Sequence, residues 1–361
     1  MKVVICWADV AGYTAACWRT LSRRPNVDLF VVSGFAGGDN ANAPFGASLM
    51  DGLQCRMLTM QERENADLVG EIVAAQKPDV VAVCGWFIRS YTRLAFDPRL
   101  AGARFVMGID TPFQNTWRQW LGRLRMGRFF NRLDRVMVAG ERSFVLARHL
   151  GIPEEKIRRG NYGIDYDLFH QVMRDREAGG RDRGWPRRFL FVGRYVPVKG
   201  IPVMLEAYRQ YRSGVSDPWP LTCCGKGPIG GLLGNAQGVT DAGFKQPAEL
   251  QSVFRDHSVL ILPSLFEPWG QVIVEAGAAG MPAIATEACG ASVELIRSYY
   301  SGLTVPTGRP QPLARAMRWM HDSGELLPEM GRRGAVMAGA YSADCWAERW
   351  HTAMQEVLRQ D

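Results

Sequence analysis

Two glutamates and two cations carry the strongest chemical signal in this 361-residue chain. In "SLFEPWGQVIVEAGAAGMP" (264–282), Glu267 precedes Gly270, and Glu275 follows Glu267 by eight positions inside an apolar run. A helix starting near Trp269–Gly270 leaves the N–H groups of Gly270, Gln271 and Val272 without intrahelical partners. With the macrodipole behind them, those groups suit a phosphate. Glu275 then lies roughly 7 Å along the axis from Gly270, at about 1.5 Å per residue. At that reach a carboxylate can accept two hydrogen bonds from a vicinal diol such as a ribose. Glu267, ahead of the helix, is placed for the hydroxyls of a second sugar beyond the phosphates. A plainer role, with Glu267 complementing the dipole and Glu275 partly exposed, leaves a carboxylate among Val272, Ile273, Val274, Ala276 and Ala278 unexplained.

The cations stand upstream, in "FVGRYVPVKG" (191–200). Gly193 ends a strand and permits close backbone approach. Arg194 and Lys199 are spaced to reach one diphosphate, Arg through its planar fork and Lys as a point charge. Read alone, the same segment is a surface loop with two solvated cations. "CCGKGP" (223–228) gives a second strand and a tight turn through Gly225 and Gly227, too short for a dinucleotide fingerprint. None of the five histidines (149, 170, 257, 321, 351) lies in a motif, which argues against a histidine general base. The eight cysteines show no metal-ligand spacing, and several fall in apolar strand-like runs, where a reduced Cys acts as a small hydrophobe.

The elements that must position these groups are strands alternating with helices. One series runs through "VVICW" (3–7), "DLFVVS" (28–33), "DVVAVC" (79–84), "RFVMGI" (104–109) and "RVMVAG" (135–140). A second begins at "RFLFVGRY" (188–195) and continues through "PLTCCGKG" (220–227), "SVLILPS" (258–264) and "PAIATE" (282–287). Continuous Val/Ile runs separated by helix-length segments predict parallel sheets buried on both faces. The spacing predicts an N-terminal domain over 1–170, a linker over 171–187 and a C-terminal domain over 188–340. A terminal helix over 341–361, with Ser342 as a candidate cap, is expected to pack back on the first domain. Ligands are then expected at the carboxyl ends of the strands.

Composition is that of an ordinary soluble globular chain, 47% hydrophobic and 22% charged, with no apolar run long enough for a membrane span, and the opening "MKVVICWADV", brief for a secretory h-region, is expected to be a first strand. A cytoplasmic location is expected, with no nucleic-acid partner. The formal net charge of +7 is uneven, because "WRQWLGRLRMGRFFNRLDR" (117–135) holds six Arg against one Asp. Trp117, Trp120, Leu121 and Leu124 share one helical face, and Phe129, Phe130 and Leu133 point elsewhere. The plainer expectation is a core-facing apolar stripe with a solvated Arg face. The alternative is a helix lying on an anionic membrane surface.

The string from Glu267 to Glu275, preceded by "LILPS" and followed by "AGAAGMPAIA", resembles the EX7E region of retaining GT-B glycosyltransferases, most closely glycosyltransferase family 4. The resemblance extends through "FVGRYVPVKG", "CCGKGP", "VTDAGFKQPAEL" (239–250), "GASVELI", "SGLTV" and the "NYGIDYDLF" segment (161–169), covering about 180 residues. It implies an α/β GT-B fold of two Rossmann-like, doubly wound domains facing across a cleft. It also implies a nucleoside diphosphate sugar (UDP-, GDP- or ADP-sugar) as co-substrate, with no tightly bound cofactor. In that reading Arg194 and Lys199 contact the diphosphate, Glu275 the ribose and Glu267 the transferred sugar, while the backbone of Gly270–Val272 supports phosphate and sugar. Phe244 falls in the loop that flanks the base, and Gln271 and Trp269 replace the more usual Leu and Phe.

The first half fits the resemblance less closely. Where relatives often carry a Gly pair after the first strand, "ADVAGYTAA" (8–16) has Gly12. Where many carry a His near the reacting sugar, "VMGIDTPFQNTW" (106–117) offers Asp110, either positioning a sugar hydroxyl or the acceptor, or simply ending a strand. Asp165-Tyr-Asp167 mimics a metal-binding triplet of another transferase fold, but a metal site there would leave the Arg/Lys pair and both glutamates without a role. The expected reaction is retaining, metal-independent transfer of a sugar to a saccharide or lipid-linked acceptor hydroxyl. Epimerase or phosphorylase chemistry, or a non-catalytic membrane-associated module, are the alternatives.

Overall fold

The computed structural model describes residues 1–34, 45–179 and 185–359. They divide into two compact units, the first of residues 1–34, 45–164 and 343–359, the second of residues 165–179 and 185–342. In the first, β1 (Lys2–Asp9), β2 (Asp28–Gly34), β3 (Gln54–Leu58), β4 (Val80–Cys84), β5 (Arg104–Ile109), β6 (Arg135–Val138) and β7 (Ile157–Arg159) form one sheet in the order 3-2-1-4-5-6-7. In the second, β8 (Phe189–Val192), β9 (Leu221–Cys224), β10 (Val239–Asp241), β11 (Val259–Leu262), β12 (Ala283–Thr286) and β13 (Gly302–Val305) take the order 10-9-8-11-12-13.

Every pairing in both sheets is parallel. The central strands are buried on both faces, as their unbroken Val/Ile/Ala runs require: β4 and β11 have no exposed position. Strands β3, β7, β10 and β13 escape the sequence reading for a physical reason. They are the four sheet edges, each short ("QCRML", "IRR", "VTD", "GLTV") and the first three partly polar, so one side of each needs no apolar run. Strand order reverses between β1 and β4 in the first sheet and between β8 and β11 in the second. Each reversal opens a crevice at the carboxyl ends of its strands.

Two expectations are corrected. The stretch expected as a linker is helical in its first half, within a helix spanning Tyr166–Ala178. Phe169, Val172 and Met173 recur at helical spacing and are buried, with Phe169 packed 5.4 Å from the Phe254 ring. Arg174 and Glu177 are exposed, while Arg176 continues the packed face and donates to the carbonyls of Phe254 and His257; with Asp167 and Asp175 these charges make the segment read as polar. Residues 180–184 of that stretch lie outside the described residues. In the helix Trp117–Arg132, the Trp/Leu stripe does not face the core: Trp117, Trp120 and Leu124 are exposed, and Gln119, Phe129 and Phe130 are buried instead. The phase change after Gly127 therefore separates an outward apolar face from the inward one.

The final helix, Ala343–Leu358, belongs to the first unit. Trp346 Nε1 and Trp350 Nε1 donate to the carbonyls of Asn161 and Gly160 at 2.9 and 3.2 Å. The Trp350 ring meets Trp7 edge-on at 6.3 Å, and Glu356 pairs with Arg135 and Arg158.

Candidate functional site

The loops after β8 and β11, the strands flanking the second crevice, carry most of the candidate residues. Beyond β11 the chain leaves the sheet at Ser264 and reaches Glu267, which bridges to Cys289 while its carbonyl accepts from the Gly290 amide at 3.1 Å. The Trp269 carbonyl accepts from the Ala291 amide at 2.8 Å. Gly270 then takes the left-handed conformation (φ 96°, ψ 64°), which a residue with a Cβ adopts only under strain, and the helix Gln271–Ala278 starts. Its first helical bond runs from the Ile273 amide to the Gly270 carbonyl at 3.0 Å, so the amides of Gly270, Gln271 and Val272 precede it.

On the opposite wall, Gly193 directly follows β8, and its amide donates to the Cys224 carbonyl at 3.0 Å. The Gly-x-Gly turn packs directly on this loop: a Cβ on Gly225 would collide with the Gly193 carbonyl, and one on Gly227 with the Tyr195 carbonyl. Tyr195, buried, donates to Asp241 Oδ1 at 2.7 Å, and the Gly225 amide donates to the Gly243 carbonyl at 3.0 Å. The loops after β8, β9 and β10 are thereby laced together, and Phe244, half-buried, follows that last contact. Lys199 closes a short turn, Pro197–Lys199, that the Leu265 amide ties to the β11 loop by donating to the Val198 carbonyl at 2.8 Å.

Half-buried Lys199 and buried Glu267 form an ion pair across the crevice, and Ser264 Oγ donates to the same oxygen, Glu267 Oε2, at 3.3 Å. Burial pushes the neighbouring Cys289 thiol up to about 12, with the Glu267 charge adding to the shift, so it stays neutral. Arg194 is exposed and holds no carboxylate among the described residues. Glu275, half-buried among apolar neighbours on the same helix, has no ion-pair partner among the described residues. Desolvation pushes its carboxyl up to about 7. Ion pairing and helix capping use neither Arg194 nor Glu275.

In the first unit the candidates gather at the carboxyl end of its sheet. Gly12 opens the helix Gly12–Ser22 after β1, and Asp110 follows β5. Tyr162 donates to Asp110 Oδ2 at 2.7 Å, and the Tyr13 ring lies edge-on to Tyr162 at 5.7 Å. Burial first, then the Asp110 charge, holds the Tyr162 phenol well above its usual range. Of the Asp165/Asp167 pair, Asp165 caps the helix Tyr166–Ala178, accepting from the Leu168 amide at 3.2 Å. An oxygen committed to a helix end is poorly placed to ligate a metal.

The family model for Glycosyl transferases group 1 matches residues 181–337, within the second unit. That unit is a glycosyl transferases group 1 domain. Among relatives, D-rhamnosyltransferase WbpZ of Pseudomonas aeruginosa is 27% identical over 246 residues, 63% of this chain and 63% of that protein. D-inositol 3-phosphate glycosyltransferase of Streptomyces bingchenggensis is 31% identical over 235 residues, 56% of this chain and 50% of that protein. This chain therefore aligns with between half and two thirds of the length of these relatives. Among solved structures, Anabaena Alr3699/HepE in complex with UDP matches with a TM-score of 0.74 at 17% identity, covering 99% of this chain and 100% of that one. A glycosyltransferase from Rickettsia africae gives 0.72 at 15% identity, covering both chains completely. The fold is GT-B.

Within the group 1 domain, sequence reasoning located the residues of both crevice walls but missed their supports. Ser264 stands three positions before Glu267 in the same quoted motif, whereas Tyr195 meets Asp241 only in the folded sheet. Tyr162 stands in the "NYGIDYDLF" segment, fifty-two positions from Asp110, with no local sign that the two meet.

Proposed function

We propose that the protein transfers a sugar from a nucleoside diphosphate sugar to an acceptor hydroxyl with retention of anomeric configuration. The Lys199–Glu267 pair, set beside the left-handed Gly270 helix start, carries this reading. In the group 1 domain Arg194 and Lys199 contact the diphosphate. Pairing with Glu267 leaves the Lys199 ammonium further donors for a phosphate oxygen. Gly270, Gln271 and Val272 present backbone amides to phosphate and sugar, and Gly193, Gly225 and Gly227 let the chain approach closely. Glu275 accepts from the ribose diol, Phe244 flanks the base and Glu267 holds hydroxyls of the departing sugar. The Anabaena structure is a complex with UDP, which supports a nucleoside diphosphate co-substrate without selecting among uridine, guanosine and adenosine.

In the reaction the bond from the anomeric carbon to the diphosphate oxygen breaks, and that oxygen keeps the electron pair. The acceptor oxygen bonds to the same face, and its proton passes to the leaving phosphate oxygen. Arg194, Lys199 and the Gly270 helix start stabilise the developing charge, a preorganised electrostatic role. This chemistry needs no metal. Asp110, held by Tyr162, orients a sugar or acceptor hydroxyl, with Gly12 at the helix start in the same crevice. The acceptor is a saccharide or a lipid-linked saccharide. We place the protein in the cytoplasm at the inner face of a membrane, contacting anionic lipid through residues 117–135; no helix among the described residues is long and apolar enough to cross a bilayer.

The test is a panel of UDP-, GDP- and ADP-sugars, scored by thermal stabilisation and slow donor hydrolysis, with chelator added in parallel. One donor should stabilise the wild type and not Glu275→Gln, and the released or transferred sugar should keep its anomeric form by proton NMR. Inverted product would overturn the retaining assignment, and loss of activity with chelator would overturn metal independence.

A further inference from the structure

We infer that the membrane contact is a two-element face in which Phe96 continues the Trp117–Trp120–Leu124 stripe, with Arg128 joining them. The inference rests on the proposed membrane location and specifies the surface that makes it. Positions 117, 120, 124 and 128 recur at three- and four-residue spacing and so share one helix face. Trp117, Trp120 and Leu124 are 69%, 52% and 81% exposed. At the far end of the stripe the Arg128 guanidinium lies 5.7 Å from the centre of the Phe96 ring, which is 50% exposed. Phe96 comes from a separate short turn, Leu94–Phe96, where Leu94 and Ala95 are buried and the Phe is turned outward.

The fold engages this stripe at Trp120, whose ring lies edge-on to His149 at 4.2 Å and whose Nε1 donates to Asn115 Oδ1 at 3.1 Å, and leaves Trp117 and Leu124 mostly exposed. The opposite side of the helix already supplies the packing: Phe130 meets Trp86 edge-on at 5.5 Å, and Phe129 is buried. Gln119 anchors the first turn, donating to the Pro112 carbonyl and accepting from the Gln114 amide, each at 2.9 Å. The helix thus has one apolar face in the core and a second in water. Two exposed tryptophans, a leucine and a phenylalanine in one row are not the scattered apolar residues of an ordinary surface.

Charge selects the occupant. From Thr111 to Leu133 there is no acidic residue, and the next carboxylate, Asp134, is engaged by Arg104 and Arg132. Arg118, Arg123, Arg125 and Arg128 therefore border the stripe as an uncompensated cationic field, with Arg118 set 5.6 Å over the Trp117 ring. Indole rings with Arg beside them match the boundary of an anionic bilayer, where the rings enter the acyl margin and the guanidinium groups meet lipid phosphate. The row from Trp117 to Arg128 runs about 16 Å along the helix, at about 1.5 Å per residue, so all of it can lie in one plane on the lipid.

The test is sedimentation of the full chain with phosphatidylcholine vesicles, with and without phosphatidylglycerol. The wild type should bind only the anionic vesicles. Trp117→Ser/Trp120→Ser and the Arg118/Arg123/Arg125/Arg128→Gln variant should each bind at least about tenfold more weakly, since each basic residue near an anionic surface contributes about 1 kcal/mol. Phe96→Ser should weaken binding severalfold with an unchanged circular-dichroism melt. If the wild type ignores anionic vesicles, the membrane location falls and this inference with it. If the Trp and Arg variants lose binding while Phe96→Ser keeps it in full, the location stands and the two-element face is overturned. A concentration-dependent dimer dissolved by Trp117→Ser/Trp120→Ser would assign the stripe to a second copy of the chain instead.

Discussion

Tyr162 donates a hydrogen bond to Asp110 Oδ2 at 2.7 Å, so a half-buried phenol from the loop after β7 fixes a carboxylate at the end of β5. Since burial holds the phenol far above its usual range, it remains a proton donor at every working pH. Tyr162→Phe should lower transfer about tenfold through a misplaced Asp110, while donor affinity, read by calorimetry, stays at the wild-type value. Folding stability should fall by about 1 kcal/mol, the net worth of one hydrogen bond. A variant that loses donor affinity instead would detach Asp110 from the acceptor side.

The Lys199–Glu267 pair permits a sharper experiment. Lys199→Met strands a buried carboxylate and should destabilise the protein by about 3 kcal/mol in chemical denaturation. Lys199→Met/Glu267→Gln should recover most of that loss, because no charge is left without its partner. Transfer should remain at least about a hundredfold down in both, and in Glu267→Gln alone, since the groups are needed for charge and sugar contacts. Recovery of activity along with stability would make the pair purely structural.

Glu275 predicts a pH dependence with a definite sign. Its carboxyl is raised to about 7, so the folded state binds a proton more tightly than the unfolded state. The associated stability is fully present below the ordinary carboxylate range and is lost as pH rises toward and past about 7. Glu275→Gln should therefore melt close to wild type at pH ~5 and gain roughly 1–2 kcal/mol on it at pH ~8, allowing for the partial exposure of the side chain. Donor affinity of the wild type should rise over the same interval, as the ionised carboxylate becomes available to accept from a ribose diol. A flat affinity profile would remove Glu275 from the donor site.

At Gly270 the backbone itself is testable. Gly270→Ala places a Cβ at φ 96°, about 3.2 Å from Leu262 Cδ2 and from Glu267 Cγ. The left-handed conformation costs roughly 1–2 kcal/mol for a residue with a Cβ. We expect that loss in thermal unfolding, together with a raised KM for donor. Gly231→Ala, where a Cβ meets nothing within 4 Å, should leave donor KM unchanged and serves as the control.

Much of this was legible in the chain alone. The strand runs of the two sheet interiors announce themselves, because a strand buried on both faces must be apolar at every position. The EPWGQVIVE spacing fixed a helix start and two carboxylates relative to one another, since helical rise is constant. Edge strands stayed hidden because half-exposed segments need no distinctive pattern. The linker misread has the same origin, as the charged residues of Tyr166–Ala178 outnumber the three apolar ones it buries.

The tertiary structure alone decided which groups meet. Local sequence sets what a residue is and which way its own element turns it. Whether Glu267 is answered by Lys199, or Asp110 by Tyr162, depends on the order in which parallel strands are laid side by side. It also decided the direction of the Trp117–Leu124 stripe. A helix with two apolar faces can bury either one, and periodicity ranks neither; the neighbours that pack Phe129 and Phe130 made that choice and left the tryptophans to solvent.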